Sequence, residues 1–250
     1  MVRHRVGLGG SGIRPDVSGL DDVLQHVDAV LFDFDGPLCD VFAGSPAPDV
    51  ARRLERLANR SFATDDPLAV LRDCYDLCPR AVAELVEDEL VRAEVTAVDV
   101  ALAEPSGIEA LRAAHAADLR IAVVTNNAGE AASRFLHMHG LNKLVRTIVG
   151  RAFRRPDRMK PDPWPLLMAT NVLGVEPTRA VLIGDSVTDI EAAHATKMPC
   201  VAYANKPGKR SAFERIETAA VIDDMAELSA ALRCHYPQVP PAPPSTDCLP

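Results

Sequence analysis

The chain of 250 residues is poor in aromatic side chains and contains only five lysines. Aromatic residues make up 4% of it, too few for the stacking platforms that bind single-stranded nucleic acid. The formal net charge of −8 disfavours polyanions and anionic lipid surfaces. No apolar run reaches the length of a membrane span, and residues 1–15 lack the apolar segment of a secretory signal. We therefore expect a cytoplasmic protein that binds neither nucleic acid nor membranes.

The six cysteines are scattered and form no CxxC pair. Cys74 and Cys78 are four residues apart, a spacing that places two thiols on one face of a helix. A zinc or redox site would need further Cys or His ligands at short spacing, and none is obvious. Reduced thiols are the expected state, in agreement with a reducing compartment.

Short apolar or β-branched segments alternate with helical patterns along most of the chain. This alternation is typical of an α/β fold with a doubly wound parallel sheet and helices on both faces. The segments predicted as strands are 29–33, 120–125, 146–149, 180–184 and 199–203. The segments predicted as helices around them are 20–27, 108–117, 130–139, 163–173 and 190–195.

Residues 39–105 differ from the rest because they contain no convincing strand pattern. Amphipathic helices are predicted there at 50–58, 68–77 and 80–103. An insertion after the first strand emerges above the carboxyl edge of the sheet, where it can exclude water and select a substrate. The predicted organisation is a flexible arm at 1–19, a core domain at 20–38 and 106–236, a helical cap domain at 39–105, and a proline-rich tail at 237–250.

The first predicted strand ends in Asp33-Phe34-Asp35-Gly36. In open α/β sheets ligands bind at the carboxyl ends of the strands, so these carboxylates lie where a site is expected. Two close acids repel each other unless they share a proton or bind a metal ion. The alternative is a solvated turn, since Asp and Gly are also turn residues.

Polar residues also follow the second and fourth predicted strands and precede a later helix. Thr125 and Asn126 close one strand, Asp185 and Asp189 follow another, and Lys160 stands before a proline-initiated helix. Because parallel strands share one carboxyl edge, the acids would converge there with Asp33 and Asp35, and oxygen-only ligands favour Mg²⁺. The alternatives to a site are structural roles. They are a solvated turn position for Lys160 and helix capping by Thr125, Asn126, Asp185 and Asp189.

The ordered set of motifs resembles the haloacid dehalogenase superfamily, subfamily I, of the phosphoglycolate phosphatase and β-phosphoglucomutase type. The motifs are Asp33-Phe34-Asp35-Gly36, Thr125-Asn126, Lys160-Pro161 and Gly184-Asp185 with Asp189. The resemblance implies a Rossmann-like core with a small helical cap. It also implies Mg²⁺ as cofactor and a small phosphorylated metabolite as substrate, in a monomer or homodimer.

The resemblance also implies a role for each matched residue. Asp33 would be the nucleophile that forms an aspartyl-phosphate, and Asp35 would be the general acid and then the general base. Lys160 would stabilise the charge of Asp33 and of the phosphoryl group. The implied substrate-binding residues are Gly36, Thr125, Asn126 and Lys160. The implied metal residues are Asp33, Asp35, Asp185 and Asp189, with Asp189 supporting the metal waters or Lys160.

The second acid separates the reaction classes within this superfamily. Relatives that cleave carbon–halogen bonds use only the first aspartate, so Asp35 favours phosphoryl chemistry. The leading hypothesis is a Mg²⁺-dependent phosphatase, the alternative is a sugar phosphomutase that uses the same residues, and a non-catalytic binding protein is a third. Two basic segments, residues 151–158 and 206–210, follow strand ends and are expected to help steer an anionic substrate.

Overall fold

The computed structural model describes residues 17–236 of the chain. The strands are β1 (Ala29–Phe32), β2 (Cys39–Asp40), β3 (Leu102–Ala103), β4 (Arg120–Val124), β5 (Thr147–Val149), β6 (Ala180–Gly184), β7 (Cys200–Tyr203) and β8 (Ala220–Ile222). The helices are α1 (Val17–Leu24), α2 (Ala47–Ala58), α3 (Pro67–Leu77), α4 (Arg80–Ala97), α5 (Pro105–Ala116), α6 (Gly129–Met138), α7 (Trp164–Leu173), α8 (Val187–Thr196), α9 (Lys209–Phe213) and α10 (Met225–His235).

Six strands form one parallel sheet in the order β5-β4-β1-β6-β7-β8. The chain builds β4 and β5 on one side of β1 and then crosses to build β6, β7 and β8 on the other side. The central strand β1 therefore lies where the order reverses, which is where ligands bind in such sheets. The predicted fold class is confirmed, and the five predicted strands match the structure to within one residue at each end.

Both faces of the sheet are buried, as expected for parallel strands. Val30 and Phe32 of β1 belong to one apolar core, while Ala29 and Leu31 belong to a second core on the opposite face. Successive side chains of a strand point to opposite faces, so the fully apolar run of β1 follows from its burial on both sides. This burial fixes β1 in the middle of the molecule and leaves its carboxyl end as the open edge.

The inserted segment forms three helices with an apolar core of their own. Helices α2, α3 and α4 pack on one another around Leu54, Leu71, Val86 and Leu90. The predicted third helix is too long, since α4 ends at Ala97. The chain then pairs β3 with β2 as an antiparallel ladder, because the two segments that join the insertion to the core run side by side. No strand was predicted at either segment of this ladder.

Other differences concern the ends of the described region. Strand β8 and helices α9 and α10 were not predicted as elements. Helix α1 begins at Val17, so residues 17–19 are helical although they were assigned to the arm. The rest of that arm and the predicted tail at 237–250 lie outside the described residues. None of the helices in residues 17–236 combines the length and apolar character needed to cross a membrane.

Candidate active site

The parallel register brings three of the sequence motifs to one edge of the sheet. Phe32 pairs with Val123 of β4 on one side and with Ile183 of β6 on the other. The residues that follow these three positions in the chain therefore lie side by side at the carboxyl edge. The backbone N–H of Asp33 extends the pairing by donating to the carbonyl of Ile183 at 2.8 Å.

Lys160 is completely enclosed at this edge, with 1% of its surface exposed. Its Nζ lies 3.0 Å from Oδ1 of Asp33 and 2.5 Å from Oδ1 of Asp189, and it donates to the carbonyl of Val124 at 3.0 Å. An ammonium group buried to this extent needs such partners, because removing it from water is costly. The alternative of a solvated turn lysine is therefore wrong.

The pKa values of this pair shift upward for different reasons. Burial raises the pKa of Asp33 well above its ordinary value; Lys160 opposes the shift, and the carboxylates of Asp189 and Asp185 add to it. Burial alone would lower the pKa of Lys160, but the carboxylates of Asp189 and Asp33 raise it above its ordinary value. Lys160 thus stays cationic and supplies the positive charge of the site.

Asp189 belongs to the first turn of α8 and is fully buried. Its Oδ2 accepts hydrogen bonds from the backbone N–H of Ser186 at 3.1 Å and from the Ser186 hydroxyl at 2.6 Å, while Oδ1 contacts Lys160. Ser186 and Asp189 form a capping box, so the helix-capping alternative holds for this residue. With both oxygens engaged, Asp189 is suited to orienting Lys160.

Asp185 is approached by two groups that the sequence analysis did not single out. Its Oδ2 lies 2.5 Å from Nζ of Lys209 and accepts from the Asn205 side chain at 3.0 Å. The backbone of Gly36, at φ +107°, runs so close that a Cβ there would lie 2.3 Å from the carboxyl carbon of Asp185. A side chain at position 36 would therefore displace this carboxylate.

Asp35, two residues after Asp33 in the chain, takes part in a different contact. Its Oδ1 accepts a hydrogen bond from the backbone N–H of Val41 at 2.9 Å. Burial raises the pKa of Asp35 to about 6, and the nearby carboxylate of Asp185 contributes. The residue lines a cavity of about 260 Å³ together with Gly36, Asp185 and Lys206. A carboxyl with this pKa at a cavity wall can exchange protons near neutral pH.

The side chains of the second motif are committed to the protein itself. The Asn126 side chain accepts from the backbone N–H of Lys160 at 2.8 Å and donates to the Lys160 carbonyl at 3.0 Å. The Thr125 hydroxyl donates to Oδ1 of Asn127 at 3.1 Å and accepts from the Asn127 backbone N–H at 3.0 Å. Asn126 therefore holds the main chain of Lys160, a role that the sequence analysis did not assign to it.

The donor set fits a hard divalent cation. Carboxylate oxygens of Asp33, Asp185 and Asp189 lie within 4.8 Å of one another. Oxygen-only ligands at such separations suit Mg²⁺. Lys160 and Lys209 each neutralise part of this charge, which allows several acids to share a small volume.

Four further residues around the site were not assigned individual roles from the sequence. Glu94, Asn127 and Arg151 form a buried network beside Thr125, and Lys209 contacts Asp185. Arg151 and Lys209 fall in the two basic segments expected to steer substrate, yet both form internal ion pairs. Glu94 gave no signal, because a glutamate in an amphipathic helix looks like an ordinary surface residue.

Sequence comparisons identify relatives over most of the chain. Residues 27–196 match the family model described as haloacid dehalogenase-like hydrolase. A phosphoglycolate phosphatase of Psychrobacter arcticus is 26% identical over 83% of this chain and 96% of the relative. A plasmid phosphoglycolate phosphatase of Cupriavidus necator is 31% identical over 82% of this chain and 92% of the relative.

Solved structures agree in fold. CbbY from Rhodobacter sphaeroides, in complex with phosphate, is similar with a TM-score of 0.64 and 19% identity, over 82% of this chain and 99% of that chain. A predicted phosphoglycolate phosphatase from Haemophilus somnus gives a TM-score of 0.60 and 20% identity, over 81% and 96%. With the family match spanning more than half of its length, the chain belongs to the haloacid dehalogenase-like hydrolases.

Proposed function

We propose that this protein is a Mg²⁺-dependent phosphatase that hydrolyses a small phosphomonoester through an aspartyl-phosphate on Asp33. The observation that carries the proposal is the buried ammonium of Lys160, held 3.0 Å from the carboxylate of Asp33. A fixed cation beside a strand-end carboxylate is what an attack on a negatively charged phosphoryl group requires.

We assign the two steps of the reaction to the two acids of the first motif. A carboxylate oxygen of Asp33 attacks phosphorus, and the bond between phosphorus and the ester oxygen breaks. Asp35, with a pKa of about 6, donates a proton to the departing oxygen. In the second step Asp35 takes a proton from water as that water attacks phosphorus, which releases inorganic phosphate and restores the Asp33 carboxylate.

The remaining residues of the site bind the metal, supply positive charge and fix the orientation of Lys160. We assign the metal to Asp33 and Asp185, whose carboxylates cluster with that of Asp189, and to Asp35 from the resemblance to the family. Asp189 is assigned to orienting Lys160. A bound Mg²⁺ would supply positive charge next to the phosphoryl oxygens. Lys160 supplies a second positive charge.

A further pair of residues is assigned to the phosphoryl oxygens. Thr125 and the backbone N–H of Asn126 lie at the end of β4, next to the end of β1 that bears Asp33. To donate to a phosphoryl oxygen, the Thr125 hydroxyl would turn away from Oδ1 of Asn127, to which it donates in this structure. The Asn126 side chain holds the Lys160 backbone and so keeps the ammonium group in register with Asp33. Gly36 leaves room for Asp185 at the cavity wall.

The first substrate to test is 2-phosphoglycolate. Two relatives that carry the name phosphoglycolate phosphatase align with this chain over more than nine-tenths of their own length. A cavity of about 260 Å³ beside Asp35 also favours a small leaving group. The inserted helices α2, α3 and α4 are the part of the chain to which we assign substrate selection.

The proposal is tested with a panel of phosphorylated metabolites, assayed for released phosphate with Mg²⁺ and with chelator. The panel contains 2-phosphoglycolate, sugar monophosphates, a sugar bisphosphate and pyrophosphate, along with an aryl phosphate. We expect Mg²⁺-dependent phosphate release that Asp33→Asn abolishes and that the exposed control Asp65→Asn leaves unchanged. Substantial activity in Asp33→Asn contradicts the proposal, and isomerisation of a sugar phosphate without phosphate release indicates a mutase instead.

A further inference from the structure

One ion pair is buried between the inserted helices and the core. Glu94 lies in the last turn of α4, and Arg151 follows β5. The two guanidinium Nη atoms each donate to one carboxylate oxygen of Glu94 at 3.0 Å, and the side chains are 0% and 1% exposed. A buried ion pair adds little stability compared with apolar packing, so its presence points to a role in positioning.

Both residues of the pair are hydrogen-bonded to the loop that follows β4. Oε2 of Glu94 accepts from the backbone N–H of Ala128 at 2.9 Å, and its Oε1 accepts from the Asn127 side chain at 3.0 Å. Arg151 donates through Nη1 to the carbonyl of Asn126 and through its backbone N–H to the carbonyl of Asn127, both at 2.9 Å. Four hydrogen bonds from two residues thus fix three consecutive residues of this loop.

The fixed loop leads directly to the residues assigned to the phosphoryl group. Asn127 is hydrogen-bonded to the Thr125 hydroxyl through both its side chain and its backbone N–H. The Asn126 carbonyl accepts a hydrogen bond from Arg151, and the Asn126 side chain accepts one from the backbone N–H of Lys160. Asn127 therefore connects the Glu94–Arg151 pair to Thr125, and Asn126 connects it to Lys160.

Close packing of backbones supports the same arrangement. A Cβ on Gly150, the residue before Arg151, would lie 2.3 Å from the backbone nitrogen of Gly129. Only a glycine at position 150 allows the Arg151 segment to approach the start of α6 this closely. The loop after β4 is thus in direct contact with both the Arg151 segment and Glu94.

We propose that Glu94 and Arg151 are positioning residues that fix Thr125 and Asn126 for phosphoryl binding. Because Glu94 belongs to α4, the pair also couples the inserted helices to the phosphate-holding loop. This inference rests on the phosphatase activity proposed above, and it adds a specific means by which the insertion acts on the reacting group.

The test compares Glu94→Gln with Glu87→Gln. Glu87 lies on the same helix, is also buried, and is paired with Arg154 at 3.5 Å. It accepts hydrogen bonds from Tyr75 and from the backbone N–H of Arg154, and within residues 17–236 none of its hydrogen bonds reaches the loop at 125–128. The two variants therefore remove the same charge from the same helix but differ in contact with the loop.

We expect hydrogen exchange at the backbone amides of residues 126–128 to accelerate by about tenfold or more in Glu94→Gln and by less than about twofold in Glu87→Gln. We expect kcat to fall about tenfold or more in Glu94→Gln with KM changed less than about threefold, because contacts to the transferred group strengthen in the transition state. Equal behaviour of the two variants in exchange and in kcat overturns the proposal.

A second variant removes the side-chain connection from Glu94 through Asn127 to Thr125, while it keeps the ion pair and the hydrogen bond from the backbone N–H of residue 127 to the Thr125 hydroxyl. Asn127→Ala should lower kcat to a similar extent as Glu94→Gln. It provides the test of the positioning role if Glu94→Gln does not fold. A wild-type kcat in Asn127→Ala overturns the proposal. The exchange measurement does not depend on enzymatic activity. If the wild-type protein has no phosphatase activity, the proposed function is refuted, while faster exchange in Glu94→Gln still shows that the ion pair holds the loop.

Discussion

Nζ of Lys160 lies 3.0 Å from Oδ1 of Asp33 and 2.5 Å from Oδ1 of Asp189, in a pocket that excludes water from the ammonium group. Lys160→Met removes the cation and leaves two buried carboxylates facing each other. We expect kcat to fall by about 10² to 10³, the usual effect of losing one group that stabilises charge in the transition state. Steady-state phosphate release by the folded variant measures this.

The exposed lysine at position 143 offers the matched control for that prediction. Lys143→Met should retain wild-type kcat. The free energy of unfolding of Lys160→Met should also decrease by about 3 kcal/mol or more, because its buried partner charges are left unpaired. A Lys160→Met protein with wild-type kcat would mean that this ammonium group takes no part in the reaction.

Asp35 should make the metal-free protein less stable as the pH rises. Burial raises its pKa from 3.8 to about 6, so the folded state favours the protonated carboxyl. The stability that protonation provides is lost between about pH 4 and pH 6 and remains absent above that range. Asp35→Asn should therefore exceed the wild type in free energy of unfolding by on the order of 1 kcal/mol above pH 6, and the difference should shrink toward pH 4.

Urea unfolding in the presence of chelator, repeated across this pH range, measures the effect of Asp35→Asn. The exposed control Asp65→Asn should leave the pH dependence of the wild type unchanged. A difference between Asp35→Asn and wild type that stays constant from pH 4 to pH 8 would show that Asp35 titrates normally in the fold.

Asp185 should be required for stabilisation by Mg²⁺. An ion that binds only the folded state raises the midpoint of thermal unfolding as its concentration rises above the dissociation constant. We expect this rise in the wild type, its reversal by chelator, and its loss in Asp185→Asn. Asp157→Asn, which alters an exposed aspartate, should respond as the wild type does. An unchanged Mg²⁺ response in Asp185→Asn would remove this residue from the metal site.

Gly36 and Gly140 allow a paired test of the space beside Asp185. Both have positive φ, but a Cβ at position 36 would lie 2.3 Å from the Asp185 carboxyl carbon, whereas position 140 has no atom within 4 Å. Gly140→Ala should cost about 1 kcal/mol in free energy of unfolding and leave kcat unchanged. Gly36→Ala should also abolish the Mg²⁺ response and lower kcat about 10²-fold or more. Equal effects of the two substitutions on kcat would contradict the close approach.

The sheet, and the edge at which the candidate site lies, could be predicted because both depend on local patterns. A strand buried on both faces is a continuous apolar run, and the polar residues that follow it mark the carboxyl edge. Helix starts were less accurate: α5 begins at Pro105 and α8 at Val187, each about three residues before the predicted start. The first turn holds caps and prolines instead of periodic apolar residues, so apolar periodicity begins late.

The contacts between distant segments could not be read from the sequence. The β2–β3 ladder pairs Cys39 with Ala103 across the whole insertion, and no local pattern specifies such a pairing. Glu94 meets Arg151 only because the end of α4 lies against the loop after β4 in the folded chain. Asp185 was expected at the site, but its contact with Lys209 depends on the path of the chain after β7.

Chemical trapping tests most directly whether Asp33 becomes phosphorylated during turnover. The enzyme is mixed with Mg²⁺ and its best substrate, quenched in acid during turnover, and treated with borohydride, which reduces an acyl phosphate to an alcohol. Peptide mass spectrometry should then find homoserine at position 33, and it should find none in an Asp33→Asn control. Homoserine in place of another aspartate would contradict the account. Unmodified Asp33 would also contradict it, if the enzyme had released its alcohol leaving group in a burst before it was quenched.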